Sequence, residues 1–543
     1  MTLSITNPPP TLSSDDHKQL DHSLIKGIAW TGAAKWSIQI ITWVTTLVVA
    51  RLLSPDDYGI VAMAGVLTGV LALLTEFGIG SSIVMLSDLS EIQISQINAL
   101  SVLFGIAGFV ASCAAAIPLG IFFDTPLLPP VVVALGSGFI INSFQTVPSA
   151  LLQKEHRFKA LSVIEAIRSI TQSFALVLFA WFGFRYWSLV LGALLSYILS
   201  IGLTLLIRRH PLAIPRFSLL KNVLGFSGQV LVWRFSWYVY SNADFAIAGH
   251  LLGQAALGNY SLARTLANTP VDKITMLVGS VTPAFYAAVK EDHSALRRYL
   301  LKPIEAIALV TIPILLGLSL VAKDAVITLL GAKWEDSIPA LQLLSFYACV
   351  RTIFVFFPQV LMAIGEAGFV MRNGLISMIV LPVAFLLGSH WGIVGIATAW
   401  VIAYPVNAVP LYWRVHQKIG VTHTEFFRTL LPAINGGIFM FLSVVVAKIT
   451  LDGHFLTTAL RVVQECPTDI PYLQQVKLML QWLLDGHFGH GVRLAVQITC
   501  GAVAYTLVIW IFHRERLLVF RRSFAAVRGT SVNILDTHTG KTA

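Results

Sequence analysis

The chain has 543 residues, of which 56% are hydrophobic and only 12% charged, with a mean hydropathy of +0.77. Soluble domains carry about 25% charged residues, so this composition excludes a soluble globular protein and requires a bilayer as solvent. The formal net charge of +10 follows membrane topology along the chain, which argues against a nucleic-acid footprint.

The N-terminus, residues 1–23, is polar, contains Pro8-Pro9-Pro10 and Asp15-Asp16, and reads as a disordered cytoplasmic tail. Beyond it, apolar runs long enough to cross a membrane recur near 28–50, 58–86, 95–117, 129–152, 160–183 and 187–207. After a linker at 209–220, six more lie near 223–252, 258–288, 301–322, 338–363, 369–388 and 392–413, and two follow near 429–449 and 493–512. This predicts an all-α integral membrane protein of about 14 transmembrane helices. The division is a six-helix lobe at 24–208, a second at 221–414, and two extra helices within 415–512 flanking a loop at 451–490. A basic tail covers 513–543. Cys113, Cys349 and Cys500 fall inside apolar runs as small core residues, and Cys466 lies alone in the late loop, so no disulfide framework is expected.

Lys and Arg set the orientation. With a cytoplasmic N-terminus and fourteen helices, 23 of the 37 basic residues fall in inside segments and eight in outside segments. Both termini are therefore expected in the cytoplasm.

One phrase occurs twice. Ala50-Arg-Leu-Leu-Ser-Pro-Asp-Asp-Tyr-Gly59 is echoed 199 residues later by Gly249-His-Leu-Leu-Gly-Gln-Ala-Ala-Leu-Gly258. Each copy ends one apolar run and opens the next. A duplicated helical membrane half is the mark of a carrier with its substrate path between two pseudo-twofold-related lobes.

A charge at mid-bilayer costs about 2.5–3.5 kcal/mol on insertion scales, so the six basic residues within spans call for a cavity or a partner. Arg234 is a phosphate or sugar-acid contact, or else a structural bond to the other lobe. Asp244, ten residues on, is a protonation switch, a partner for a cation, or a structural residue. Asp272 and Lys273 follow Pro270, which can kink a cavity-lining helix, and at most one of the two faces the lumen. Arg351, midway along its helix, is a further cavity residue, whereas Arg264 reads as interfacial. Lys35 divides between snorkelling and substrate contact. Glu165 and Arg168, three apart, are expected to pair with each other. Most Trp residues sit near helix ends as an aromatic belt. Trp233 and Trp237, flanking Arg234, are the cavity aromatics, Trp237 among the site residues. His454, His487 and His490 in and after the late loop lack a ligand frame for metal, and no cofactor is expected.

The phrase Ala-Arg-Leu-Leu-Ser-Pro-x-Asp-Tyr-Gly is joined by Asn242-Ala-Asp244, Leu257-Gly258-Asn-Tyr260-Ser-Leu-Ala263, Pro270-Val-Asp-Lys273 and Val281-Thr-Pro283-Ala-Phe285. With the basic Arg157-Phe158-Lys159, this ordered set resembles the polysaccharide transporter family. These are the Wzx-type oligosaccharide flippases of the multidrug/oligosaccharidyl-lipid/polysaccharide exporter superfamily. The resemblance covers roughly residues 24 to 450 and departs in the polar stretch after helix 13. It implies translocation of an undecaprenyl-diphosphate-linked oligosaccharide across the bacterial inner membrane, for exopolysaccharide, capsule or O-antigen (lipopolysaccharide) assembly, by alternating access. The implied partners are that glycan, membrane lipids and polysaccharide polymerase or export machinery. Coupling to a proton or sodium gradient is left open. The alternatives are a lipid II flippase or a cation-coupled multidrug exporter of the same superfamily. A membrane glycosyltransferase or polymerase is remote, because the chain lacks a paired-carboxylate motif, a Gly-rich phosphate loop and a GxSxG.

Overall fold

A computed structural model describes residues 38–76, 79–85, 89–279, 282, 286, 289–453 and 487–514, with the side chains of 217–234 and 276–279, among others, outside the description. Lys35, Cys466, the side chains of Arg234, Trp233 and His487, His454 and most of the 451–490 loop therefore lie outside the described residues. Within them every regular element is a helix.

The first helices are α1 (Ile38–Leu52), α2 (Pro55–Glu76), α3 (Ile79–Met85), α4 (Glu91–Phe122), α5 (Leu128–Lys154), α6 (Phe158–Trp181) and α7 (Trp187–Ile207). Phe217–Gly279 is continuous apart from Gly253, whose φ of 83° splits it into two arms, here α8a (217–252) and α8b (254–279). Then come α9 (His293–Ala325), α10 (Ser337–Phe354), α11 (Phe357–Ala363), α12 (Ala367–Ser389), α13 (Gly392–Ile419), α14 (His423–Gly453) and α15 (His487–Phe512). Eleven of the described helices are long and apolar enough to cross a membrane. The expectation of about fourteen further requires α1, seen from Ile38, and both arms of α8.

Two expected spans differ in detail. The tenth breaks at Val355–Phe356, where Pro358 follows at the start of α11. The ninth ends in a π-turn at Val326–Leu330. Between the seventh and eighth expected spans only Gly253 departs from helical geometry, and 254–257 already belong to α8b.

Helices α2, α4, α5, α6 and α7 pack on one another, and α8, α10, α12 and α13 form a second group, with α2 against α8 as the main contact between the two lobes. Small residues set the helix crossings, as expected where lipid gives no hydrophobic drive between helices. Gly105 faces Ser143, Gly136 faces Ser112, and Gly388 meets Gly395 backbone to backbone. Apolar side chains such as Ile117, Ile121, Leu206, Ile379 and Val406 are exposed on the bundle's outside, where lipid would cover them. Trp181, Trp391, Trp413 and Trp510 at helix ends are exposed too, as the belt reading expects.

The connection from the first lobe to the second is strapped down along α4. Asn98 Nδ2 donates to the His210 carbonyl at 3.0 Å, Ser95 Oγ and His210 Nε2 are 3.1 Å apart, and Ala213 N donates to the Ser95 carbonyl at 3.1 Å. Burial pushes the His210 imidazole below its ordinary pKa, the Glu91 carboxylate opposing and Arg208 adding to it. The extra helices α14 and α15 pair with each other and dock on α9. There the buried Asp324 receives His490 Nδ1 at 2.8 Å and Gln497 Nε2 at 2.9 Å.

Candidate functional site: a twofold gate and a polar helix face

The repeated phrase builds the junction between the lobes. In the first copy Ser54 is the N-cap and Pro55 the first helical residue of α2. Asp57 closes a capping box, its Oδ2 accepting from Ser54 N at 2.9 Å and Ser54 Oγ at 2.7 Å, while Asp57 N donates to Ser54 Oγ at 3.3 Å. The other Asp57 oxygen accepts from Tyr186 N at 3.2 Å and meets Arg185 at 3.4 Å. In the second copy Gly253 stands where Ser54 does and turns the chain through a positive φ.

The two copies then touch reciprocally. A Cβ on Gly59 would overlap the Gln254 carbonyl oxygen, and a Cβ on Gly258 would overlap the Pro55 carbonyl oxygen. Residues 59 and 258 are the same position of the repeat, and so are 55 and 254. Each contact is thus the other's twofold mate, the pattern of an isologous interface. Gln254 Nε2 adds a bond to Asp56 Oδ1 at 3.0 Å.

The flanks follow the same symmetry. Arg51 donates from Nε to the Leu329 carbonyl at 2.7 Å and from a terminal nitrogen to that of Thr328. Its counterpart His250 bonds the Phe122 carbonyl through Nδ1 at 2.6 Å and stacks on the Phe122 ring. Trp334 Nε1 donates to the Ala50 carbonyl at 2.7 Å, and Gly249, the position equivalent to Ala50, packs on Phe123. Deeper in, Tyr238 of α8a donates to the Gly65 and Val66 carbonyls at 3.0 and 3.2 Å, in a space that only a glycine at 69 leaves open. The lobes are shut against each other from this end to Tyr238.

Beyond the gate the two lobes differ in chemistry. On α8b, Ser261, Thr265, Asn268, Thr269 and Asp272 recur at helical spacing, each partly or fully exposed. A lipid-facing helix does not carry such a stripe, because its polar groups would lose water without compensation; the stripe marks a wetted face. The equivalent positions of α2 are Ala62, Val66, Gly69, Val70 and Leu73. One wall is polar and its symmetry mate apolar.

Asp272, about 27 Å along α8b from the gate at a rise of about 1.5 Å per residue, receives Arg351 NH2 at 2.7 Å. Arg351 NH1 donates to Asn268 Oδ1, also at 2.7 Å. The pair is partly solvated, with side-chain exposures of 24% for Arg351 and 51% for Asp272. Such pairs contribute about 0–1 kcal/mol and exchange readily for a competing anion. Lys273 is exposed beside them with no bond or ion pair among the described residues, so both neighbours at 272–273 are solvated, where one was expected to be. Trp237 is 49% exposed on α8a.

Asp244 is the partner for a cation, one of its expected roles, and does not line the cavity where it was expected. It is fully buried inside the second lobe, away from any cavity wall. Arg264 NH1 reaches both its oxygens at 2.8 Å, Tyr260 Oη donates at 2.6 Å, and Trp400 Nε1 donates at 2.8 Å. Arg264 is accordingly not interfacial: it is sandwiched by Phe245 and Trp400 and also bonds the Ser241 carbonyl. A carboxylate whose oxygens are taken by this many donors has nothing left for a cargo. Of the remaining expectations, Glu165 and Arg168 pair at 3.6 Å. No group of three His, Cys, Asp or Glu residues that could hold a metal occurs among the described residues.

The family model described as "Polysaccharide biosynthesis protein" matches residues 48–339, over half of the chain and inclusive of both copies of the phrase. The chain belongs to this family. Within reach of the family, "Lipopolysaccharide biosynthesis protein WzxC" of Escherichia coli (strain K12) is 24% identical over 421 residues, covering 76% of this chain and 85% of that protein. "Succinoglycan biosynthesis transport protein ExoT" of Rhizobium meliloti (strain 1021) is 22% identical over 446 residues, covering 80% of this chain and 87% of that protein. Among solved structures, "Lipid II flippase MurJ, inward closed conformation" superposes with a TM-score of 0.66 at 14% identity, covering 90% of this chain and all of that one. This polysaccharide-biosynthesis family member thus shares the fold of that structure.

Proposed function

We propose that the chain carries a lipid-linked oligosaccharide, attached through a diphosphate to a polyprenyl chain, across the bacterial inner membrane for surface-polysaccharide assembly. The observation that carries this reading is the polar stripe of α8b with the Arg351–Asp272 pair, set opposite an apolar wall on α2. A hydrated glycan and a diphosphate need a wetted, cationic path through about 30 Å of hydrocarbon, and a prenyl chain needs none. Arg351 and Lys273 supply charge for phosphate or acidic sugars, Asp272 releasing Arg351 as the anion arrives. Arg234 and Lys35 are proposed to join them. The names of the relatives, polysaccharide-biosynthesis proteins and a transport protein, favour this cargo over lipid II, for which only the fold speaks.

The Lys/Arg count assigns the gate to the periplasmic side. The gate is shut, so the stripe is reached from the cytoplasm, where the lipid-linked glycan is completed. Rocking of 24–208 against 221–414 about the gate would then pass the cargo outward.

The test is a strain lacking the gene, with extraction of polyprenyl-linked glycans and assay of their leaflet. Completed repeat units trapped in the cytoplasmic leaflet, rescued by the intact gene and not by Arg351→Ala at equal membrane abundance, are expected. Incomplete repeat units would point to an enzyme and overturn the reading. Full rescue by Arg351→Ala would remove that residue from the path.

A further inference from the structure

On one flank of the gate the departure from twofold symmetry leaves a space. His250 fills its side by stacking on Phe122, whereas Arg51 leaves a cavity of about 370 Å³, lined by Arg51, Leu330, Gly331, Ala332 and Lys333. We propose that this cavity is an anion site for a phosphate-bearing group, assembled from both lobes when the gate shuts and stabilising the shut state. The orientation used below rests on the proposed function; the geometry does not.

Two cations meet here from opposite lobes. Lys333 Nζ donates to the Arg51 carbonyl at 2.7 Å, and Arg51 spends its own donors on the carbonyls of Thr328 and Leu329. Neither side chain has a carboxylate partner among the described residues, and none lines the cavity. Of the acids close by in sequence, Glu335 and Asp336 form no ion pair with either cation among the described residues, Asp56 is bonded by Gln254, and the Asp57 oxygens are taken by Ser54, Tyr186 and Arg185. Arg51 caps the π-turn that follows α9, and Lys333 caps the end of α1; neither bond neutralises the two charges so held side by side. Burial holds the Lys333 ammonium below its ordinary pKa, Asp57 opposing and Arg51 adding to it, and an anion between the two would relieve that.

Composition points the same way. These are two of only eight basic residues on the outside, against 23 inside, and outward-facing cations are disfavoured by topogenesis. The cavity falls within the range of about 300–1,000 Å³ typical of small-ligand sites. A tetrahedral phosphate or a diphosphate suits a planar guanidinium and an ammonium converging from two sides. Because the cations belong to different lobes, a ligand that bridges them binds the shut state better than the open one, and shifts the equilibrium by that difference.

The experiment uses the full chain purified in detergent, titrated calorimetrically with inorganic pyrophosphate, and spin-labelled at Leu127 and Trp391 to read the lobe separation. Saturable binding is expected, with narrowing of the distance distribution toward the shut state. Binding should weaken at least tenfold in Arg51→Gln, which keeps an amide donor for the α9 carbonyls, and in Lys333→Gln. It should be unchanged in Lys323→Gln, an outside cation that does not line the cavity. Absence of saturable binding, or equal weakening in Lys323→Gln, would overturn the proposal. Vesicles separate the sources: closure in anionic-lipid vesicles without pyrophosphate assigns a lipid headgroup, and closure in phosphatidylcholine only on adding pyrophosphate assigns a soluble phosphate. Closure in neither overturns the site. These readouts need no glycan, so they can fail while export persists, and export can fail while they hold.

Discussion

Replacing Gly258 by alanine sets one methyl group against the gate. The new Cβ would overlap the Pro55 carbonyl oxygen, a main-chain atom at the start of a capped helix that cannot swing away as a side chain would. Overpacking of this kind costs about 1–3 kcal/mol. The methyl meets Pro55 only when the lobes are together, so the cost falls on the shut state alone. At about 1.4 kcal/mol per factor of ten, the shut-to-open ratio drops by roughly fivefold to 150-fold. Local helix stability moves the other way, since alanine is better than glycine in a helix by about 1 kcal/mol. That gain is common to both states and protects against misfolding. Pulsed electron–electron distances between labels at Leu127 and Trp391 in reconstituted protein should lengthen for Gly258→Ala and for its mate Gly59→Ala. Gly202→Ala, whose Cβ meets nothing, should leave them unaltered. Distributions unchanged in both gate variants, or shifted toward the shut distance, would refute the steric argument.

Other consequences are equally direct. Asp244→Asn strands the Arg264 guanidinium, largely buried, without its counter-charge. A loss of about 3–5 kcal/mol is expected in the thermal or denaturant unfolding of the purified protein, and Asp244→Asn with Arg264→Gln should regain much of it. A cost below about 1 kcal/mol would return Asp244 to the list of exchangeable groups. His490→Ala leaves one oxygen of the buried Asp324 unpaired and should lower stability by about 1–3 kcal/mol, read as earlier release of α15 from α9 in hydrogen exchange. Glu366 is bonded by Lys418 and Arg414 at 2.7 and 2.8 Å, which hold its carboxyl below the usual carboxylate pKa of 4.5. A depressed folded-state pKa contributes stability that is present above the unfolded value and is lost as pH falls through the folded one. Glu366→Gln should therefore melt earlier at pH 7, and the gap to the parent should close as pH drops below about 4.5.

Membrane class, helix positions and the internal duplication were legible because each depends on sequence pattern alone; that the two copies touch was not. A run of apolar residues, a Ser-Pro-Asp-Asp start and a 199-residue echo are all visible without a third dimension. The same holds for Glu165 and Arg168, neighbours on one helix face. What one helix wheel cannot say is which faces of two helices meet. Asp244 and Arg264 lie on separate arms, joined only once Gly253 folds α8b back along α8a. Asp244 therefore read as a cavity residue and Arg264 as an interfacial one. Arg351 and Asp272 are 79 residues apart and converge only through the packing of α10 on α8b. Helix boundaries were blurred because lipid demands apolar residues on both sides of a break, so the interruption at 354–357 left no polar mark. A signal for the Asp244 network did exist: Tyr260, Arg264 and Trp400 are polar-tipped residues in otherwise apolar runs, and each requires a partner there.

The reciprocal glycine contacts have a bearing on how such a chain can change over generations. After an ancestral half was doubled, each copy was free to drift except where it met the other. At 59 and 258 each copy is the other's mould: neither can grow a side chain without displacing the backbone opposite. That part of the molecule is held in step, while positions further along the two helices have already parted into Thr265, Asn268 and Asp272 on one side and Val66, Gly69 and Leu73 on the other. Selection for a different sugar can thus rewrite one wall and leave the moving parts alone. The same hinge can be inherited unchanged beneath many cargoes.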